Sequence, residues 1–100
     1  MRKGYIVAEL RVTDPREFKG YRDAVRATVE AYGGRFLVRG GEPKLLEGSE
    51  PLGHAVVVVE FESPERAMEW YNSGQYQGIL PIRLGSSEAR VLLATGLSSA

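Results

Sequence analysis

The chain contains no cysteine, which removes several kinds of site at once. Disulfide bonds, thiolate nucleophiles and cysteine metal ligands are all excluded. Histidine is almost as scarce, because His54 is the only one. A single imidazole cannot supply the two or three nitrogen ligands that are usual in a catalytic metal centre. We therefore expect no bound metal, and no pattern in the chain marks a haem ligand or the binding loop of another cofactor.

An excess of charge of either sign is also lacking, since thirteen basic residues balance thirteen acidic ones. Binding to nucleic acid or to an anionic membrane surface draws on a basic field, so we expect neither partner. No apolar run approaches the roughly 18 residues that a membrane span requires. The first ten residues contain no apolar stretch long enough for a signal peptide. These absences together predict a cytoplasmic protein.

The residues that are present describe an ordinary globular chain. Of the 100 residues, 43% are hydrophobic and 26% are charged, which is typical of a folded domain. Domains most often contain about 100–150 residues, so the length indicates one domain. We predict a single domain over residues 1–97 and a short tail over residues 98–100.

Hydrophobic patterning indicates the order of elements along this domain. Apolar and polar residues alternate over residues 4–12, which predicts a strand, and further strands are predicted at 35–39, 54–62 and 88–96. Asp14 followed by Pro15 is a typical helix start, and apolar residues then recur every three or four positions until Gly33.

The second half of the chain repeats this arrangement. Ser63 and Pro64 open a second helix, and residues 75–85 predict a further helical segment. The resulting order, β-α-β-β-α-β, is that of a ferredoxin-like α+β fold. It predicts an antiparallel four-stranded sheet with both helices on one face.

Two helices can cover only one face of such a sheet. Alternation predicts the following residues toward the helices: Ile6, Ala8, Leu10, Phe36, Val38, Ala55, Val57, Val59 and Phe61. The opposite face would then carry Tyr5, Val7, Leu37, Val56 and Val58. A contiguous apolar surface of this kind usually marks an interface, and a second copy of the same sheet is its simplest cover. We therefore predict a homodimer that pairs through its sheet faces.

The same alternation assigns charged residues to the uncovered face. They are Glu9, Arg11, Arg35, Arg39, His54 and Glu60. Arg35 and Arg39 on one short strand have two interpretations: they pair with neighbouring carboxylates, or they hold a ligand. Pairing is the commoner arrangement for partly buried charge.

Several segments resemble a known family. These are "YRDAVRATVEAYGGRFLVRGG", "LEG", "VVVEFESPERAMEWYNSGQYQGILPIR" and the closing "RVLLATG". They are similar to domain-of-unknown-function family 1330, of the dimeric α+β-barrel superfamily, and the resemblance extends from Gly4 to Gly96. It implies a ferredoxin-like protomer that pairs sheet to sheet. The superfamily includes cofactor-independent oxygenases, haem-using enzymes, lactone isomerases and ligand-binding modules, so the resemblance selects no reaction.

Aromatic and arginine side chains form the best candidate for a binding site. In this fold the helices and the sheet enclose a pocket, where arginine would bind a carboxylate or phenolate and tyrosine would bind aromatic surface. Arg83 follows Tyr76 by about two helical turns and shares its side of the helix. The predicted substrate-binding residues are Tyr21, Arg39, Tyr71, Tyr76 and Arg83. Trp70, on the apolar stripe of its helix, is predicted to belong to the core.

Two functions from different classes fit these residues. One is a metal-free enzyme, of the isomerase or cofactor-independent oxygenase type, that acts on a small organic acid or aromatic compound. His54 or Glu60 would then move a proton as the catalytic residue. The other is a non-catalytic module that binds such a molecule, for example in a stress response. The sequence does not choose between them.

Overall fold

The computed structural model describes residues 1–49 and 53–98. Its strands are β1 (Gly4–Val12), β2 (Arg35–Gly40), β3 (Ala55–Phe61) and β4 (Ser87–Thr95). Its helices are α1 (Pro15–Ala31), α2 (Pro64–Tyr71) and α3 (Gly74–Ser86). In the described part of the chain, no helix has both the length and the apolar character needed to cross a membrane. Most of the predicted tail, residues 99 and 100, lies outside the described residues.

Side chains at the helix starts explain where the helices begin. The Oδ1 atom of Asp14 accepts a hydrogen bond of 3.2 Å from the backbone N–H of Glu17, and α1 starts at the intervening proline. Ser63 caps α2 in the same way. Ser73 caps α3 by accepting from the backbone N–H of Tyr76 at 3.1 Å. This extra cap divides the second helical unit, so that the domain has α2 and α3 where the ferredoxin-like pattern needs one helix.

The four strands form one antiparallel sheet in the order β2-β3-β1-β4, which confirms the predicted ferredoxin-like α+β fold. In the register of the central strands, Ile6 of β1 lies opposite Val59 of β3. These two residues belong to the core cluster that also contains buried residues of all three helices. The helices therefore cover the face that carries Ile6, and no helix of the described residues covers the other face, called here the open face.

Trp70 lies at the centre of this core, as its position on the helix predicted. It is 3% exposed, and its ring centre lies 5.4 Å from that of Phe61. Its Nε1–H donates a hydrogen bond of 3.0 Å to Oγ1 of Thr28 on α1. The hydroxyl of Thr28 donates in turn to the carbonyl oxygen of Val25. Trp70 thus attaches α2 to α1 with its polar atom satisfied, as a buried indole requires.

Strand β2 departs from regular alternation. Its pairing with β3 shifts between Phe36 and Val38, so that Leu37 is an extra residue in the strand. Beyond this bulge, Arg39 lies opposite Val57, on the face that the helices cover. The prediction that Val38 faces the helices and Arg39 faces away from them is therefore wrong. One inserted residue exchanges the two faces for every residue that follows it.

The open face combines an apolar centre with paired charges. Val7, Val56 and Val58 are neighbours on β1 and β3, and each is only partly exposed. Three ion pairs surround them: Arg35 with Glu60 at 2.9 Å, Arg90 with Glu9 at 3.1 Å, and Arg11 with Glu88 at 2.8 Å. The commoner interpretation of Arg35, pairing with a carboxylate, is thus the observed one. Because the charges neutralise one another within the protomer, a partner can cover this face at a smaller electrostatic penalty.

Candidate functional site

A cavity of about 590 Å³ lies between the sheet and the helices. Helix α1 packs mainly on α3 and makes few contacts with the strands, so that space remains between α1 and the sheet. Most of the lining is apolar, including Ile6, Leu10, Phe18, Val25, Phe36, Val57 and Trp70. A cavity of this size and character is typical of small-molecule sites, which usually occupy about 300–1,000 Å³.

The polar part of the lining is rich in donors and positive in charge. Among the described residues that line the cavity, three are arginines (Arg22, Arg39 and Arg83) and two are tyrosines (Tyr21 and Tyr76). That described lining includes no carboxylate and no histidine. Such a surface is complementary to a ligand that combines an apolar body with an anionic oxygen.

Arg83 is the most unusual of these side chains. It lies in the last turn of α3 and is only 6% exposed. Among the described residues, its Nε atom has no hydrogen-bond partner and no ion pair includes it. The guanidinium carbon lies 5.9 Å from the ring centre of Tyr21. A buried cation without a counterion is expensive to maintain, and an anion in the cavity would compensate its charge.

The two cavity tyrosines form a hydrogen-bonded pair. The hydroxyl oxygens of Tyr21 on α1 and Tyr76 on α3 are 2.9 Å apart, and either hydroxyl can be the donor. Burial, with a smaller contribution from Tyr76, raises the pKa of Tyr21 well above its ordinary value, while the charge of Arg83 acts in the opposite direction. Tyr21 therefore stays protonated at neutral pH. Tyr21 can thus offer its hydroxyl proton to a ligand oxygen, but at neutral pH it does not act as a base.

Arg39 lies at an opening of the cavity between β2 and α1. Its Nη2 atom donates a hydrogen bond of 2.7 Å to the carbonyl oxygen of Arg22, and its guanidinium lies 4.6 Å from the ring centre of Phe36. Both arginines line the cavity and are exposed to solvent, which places them at its mouth. Arg22 was not among the predicted site residues, since it lies one position from the apolar stripe of α1. Its carbonyl meets Arg39 only because the bulge turns Arg39 inward.

Tyr71, also predicted to bind substrate, supports the site without lining it. Its partly buried ring lies 5.5 Å from the ring of Tyr76, centre to centre, on the core side. The structure thus brings together Tyr21, Tyr76, Arg39 and Arg83 around one cavity and places Tyr71 behind them.

The two predicted catalytic residues lie away from the cavity. His54 is exposed and comes just before β3, where its backbone N–H donates to the carbonyl oxygen of Leu10. Glu60 is on the open face, where it accepts hydrogen bonds of 2.9 Å from both the Tyr5 hydroxyl and Nε of Arg35. These bonds hold the pKa of Glu60 below its usual range. A catalytic role for His54 or Glu60 stays a prediction, and the sheet separates Glu60 from the cavity.

Metal ligands are not clustered near these residues either. Within residues 1–49 and 53–98, no group of three or more histidine, aspartate or glutamate side chains comes close enough to share a metal ion. The chemistry available in the cavity is therefore that of arginine, tyrosine and apolar surface.

Solved structures with a similar fold include proteins with and without a known activity. A protein of unknown function from Rhodopseudomonas palustris is 16% identical, with a TM-score of 0.79 over 96% of this chain and 83% of that chain. SnoaB, a cofactor-independent oxygenase from Streptomyces nogalater, is 13% identical, with a TM-score of 0.65 over 98% of this chain and 95% of that chain. A dimeric ferredoxin-like protein of unknown function from Thermobifida fusca is 12% identical, with a TM-score of 0.63 over 96% and 92% of the two chains. At these identities the similarity demonstrates a shared fold.

The family is identified by sequence. No curated protein matches the chain. The model of the family described as "Domain of unknown function (DUF1330)" matches residues 3–97, which is nearly the whole chain. The predicted resemblance is thereby confirmed, and the chain belongs to the DUF1330 family, with a ferredoxin-like α+β fold.

Proposed function

We propose that this protein binds a small, largely apolar organic anion in the cavity and that Arg83 holds the anionic oxygen. One observation carries the proposal: the guanidinium of Arg83 is buried, and the described residues give its Nε no hydrogen-bond partner and the cavity no carboxylate. A charge-assisted hydrogen bond to a ligand oxygen would satisfy this donor. The surrounding apolar side chains would bury the body of the ligand.

The tyrosine pair extends this site. Whichever of Tyr21 and Tyr76 accepts the hydrogen bond between them keeps its own proton free for the ligand. Arg83 and that hydroxyl then form a donor set for one oxyanion, in a site lined mostly by apolar groups. Donors that are held in place for a developing negative charge stabilise an enolate or phenolate more than its neutral precursor.

This preference supports a metal-free enzyme of the cofactor-independent oxygenase type. The substrate would be an aromatic ketone or phenol with an acidic methylene group, whose anion is stabilised at Arg83. The anion supplies the electrons itself: the CH₂ group and O₂ become a C=O group and water. The first proton would leave to solvent, because the described lining contains no histidine or carboxylate. The oxygenase SnoaB from Streptomyces nogalater has the same fold, which is consistent with this reaction class.

A second candidate is a binding module without a reaction. It is favoured by the same lining, since a high pKa prevents Tyr21 from acting as a base at neutral pH. In this alternative the anion is held by Arg83 and released unchanged.

In either case we infer that two copies pair through their open faces, as the apolar centre of that face suggests. The Thermobifida fusca neighbour is described as dimeric.

Titration calorimetry with an aromatic acid such as naphthoate tests the binding proposal. We expect wild-type protein to bind it and Arg83→Met to bind it at least about tenfold more weakly, as for the loss of one charged hydrogen bond. Arg26→Met is the matched control, because Arg26 is exposed on α1 and pairs with Glu30. Equal binding by wild type and Arg83→Met would refute the role of Arg83.

Oxygen uptake then separates the two candidates. With anthrone as substrate, an enzyme of the oxygenase type consumes O₂ faster than the uncatalysed reaction, and Arg83→Met removes the difference. Binding of naphthoate without any uptake above background would favour the binding module. Native mass spectrometry of gently purified protein would reveal any bound compound and the number of protomers together.

A further inference from the structure

We propose that the natural ligand carries two acidic groups, one held by Arg83 inside the cavity and the second received by Arg39 at its mouth. This inference rests on the proposed binding of an organic anion at Arg83 and adds a second recognition point to it. The ligand class is then an aromatic or otherwise apolar compound with a second carboxylate or phenolate on its body.

The first step in the argument is the orientation of Arg39. The extra residue Leu37 turns Arg39 to the cavity face of the sheet, whereas Arg35 on the same strand stays on the open face. The two side chains consequently have different partners. Arg35 forms an ion pair with Glu60, but no ion pair of the described residues includes Arg39.

The second step is the set of free donors on Arg39. A guanidinium has several N–H donors, and the one described side-chain hydrogen bond of Arg39 uses only Nη2, toward the carbonyl of Arg22. The nearby carboxylate of Asp23 is engaged elsewhere, because Lys19 binds it at 2.6 Å. Stacking on Phe36 fixes the plane of the guanidinium without using its edge. Asp23 interacts with Arg39 only through its charge, without an ion-pair contact, so an acidic group at the mouth would still meet free N–H donors on Arg39.

The third step is the position of Arg39 relative to Arg83. Arg39 extends from β2, at one edge of the sheet, and Arg83 from the end of α3, which leads directly into β4 at the opposite edge. Their guanidinium groups meet α1 at successive residues: Arg83 faces the ring of Tyr21, and Arg39 binds the carbonyl of Arg22. Most of the cavity lining between the two edges is apolar. The cavity thus has a cation at each of two separate places, which suits a ligand with an acidic group on each side of an apolar body.

Matched pairs of ligands test this inference. Each isomeric naphthalene dicarboxylate is compared with the naphthoate in which a methyl group replaces one carboxylate, by titration calorimetry at low ionic strength. For at least one isomer we expect wild-type protein to bind the diacid about fivefold more tightly, the range of an exposed ion pair. The preference should diminish as salt is added.

Variants assign the preference to one residue. In Arg39→Met the diacid and the monoacid should bind with equal affinity, so that the preference for the diacid is lost. Arg35→Met is the control on the same strand and should keep the fivefold preference. Circular dichroism and a thermal unfolding curve establish that each variant is folded.

Two outcomes overturn the inference: no diacid preference in wild-type protein, or a preference that persists in Arg39→Met. Both are distinct from failure of the proposed function. That failure would appear as monoacid binding that does not depend on Arg83, or as no binding of any aromatic acid. A preference that depends on Arg39 while monoacid binding depends on Arg83 would support both proposals.

Discussion

The hydroxyl oxygens of Tyr21 and Tyr76 lie 2.9 Å apart, and their hydrogen bond joins α1 to α3 beside the cavity. Arg83, also on α3, interacts with the Tyr21 hydroxyl as well. The wall of the cavity formed by α1 and α3 therefore depends on two groups that are both buried. It also depends on their remaining paired, since a buried hydroxyl without a partner is destabilising.

We predict that Tyr21→Phe and Tyr76→Phe each lower the free energy of unfolding by about 1–2 kcal/mol, because each leaves the other hydroxyl buried without its partner. The double variant should be destabilised by less than the sum, since it leaves no unpaired hydroxyl. Urea unfolding of the four proteins measures the coupling. Tyr32→Phe is the control, as no hydrogen bond of the Tyr32 hydroxyl is among the described contacts. Strictly additive effects would mean that the two hydroxyls do not act as a pair.

Alkaline pH should destabilise the protein through Tyr21. Burial raises the pKa of Tyr21 above its ordinary value of 10.0, so the folded state favours the neutral phenol. The associated stability is fully present below pH 10 and is lost as pH rises toward the folded-state pKa. Tyr5 contributes in the same direction, because its hydrogen bond to Glu60 also raises its pKa. Denaturant midpoints above about pH 10 should therefore fall less steeply for Tyr21→Phe than for wild type. Parallel curves would contradict this account of Tyr21.

Arg83 should lower the stability of the protein without ligand. Its guanidinium is buried, and among the described residues Nε has no hydrogen-bond partner and no ion pair compensates the charge. We predict that Arg83→Met raises the free energy of unfolding by about 1 kcal/mol or more, as replacement of buried charge by apolar groups often does. The same variant should lose binding of naphthoate. Gain of stability with loss of binding is the pattern of a side chain kept for function. A destabilised variant in thermal and urea unfolding would indicate that Arg83 is structural.

The local sequence is sufficient to predict the helices and strands, but not which face of the sheet the end of β2 presents. Regular alternation placed Glu60 on the open face, and a spacing of seven residues placed Tyr76 and Arg83 on one side of a helix, as the structure has them. The segment "RFLVR" is equally compatible with a regular strand and with a bulge at Leu37. The choice depends on its pairing with β3, which is distant in sequence. Alternation alone therefore assigned Arg39 to the wrong face.

The candidate site was also only partly predictable from local sequence patterns, because it depends on contacts between segments that are distant in sequence. A helical stripe predicts which tyrosines point inward, but not that the cavity separates α1 from the sheet. A catalytic role for His54 or Glu60 requires that its side chain lie within the pocket and transfer a proton there. Both were assigned by alternation to the face opposite the helices, and the cavity lies on the helix side. Only the packing of the helices on one another shows how much space remains on the helix side.

A charge at the centre of the open face should dissociate the proposed homodimer. Val58 is partly buried beside Val7 and Val56, at the apolar centre of the open face. Val58→Glu would place a carboxylate without a counterion in the middle of an apolar interface, at a large desolvation cost. Native mass spectrometry and light scattering should then show a dimer for wild type and a monomer for Val58→Glu. Leu84→Glu is the control, because Leu84 is 64% exposed on α3.

The prediction of a dimer can be tested independently of the prediction that the cavity binds naphthoate. Val58 is not among the described residues that line the cavity. A folded Val58→Glu monomer should therefore bind naphthoate with nearly the affinity of the wild-type dimer. If wild type is monomeric, or if Val58→Glu remains dimeric, the open face is not the interface. If the monomer forms but no longer binds naphthoate, the site depends on the second copy, and the cavity of one protomer is not sufficient for binding.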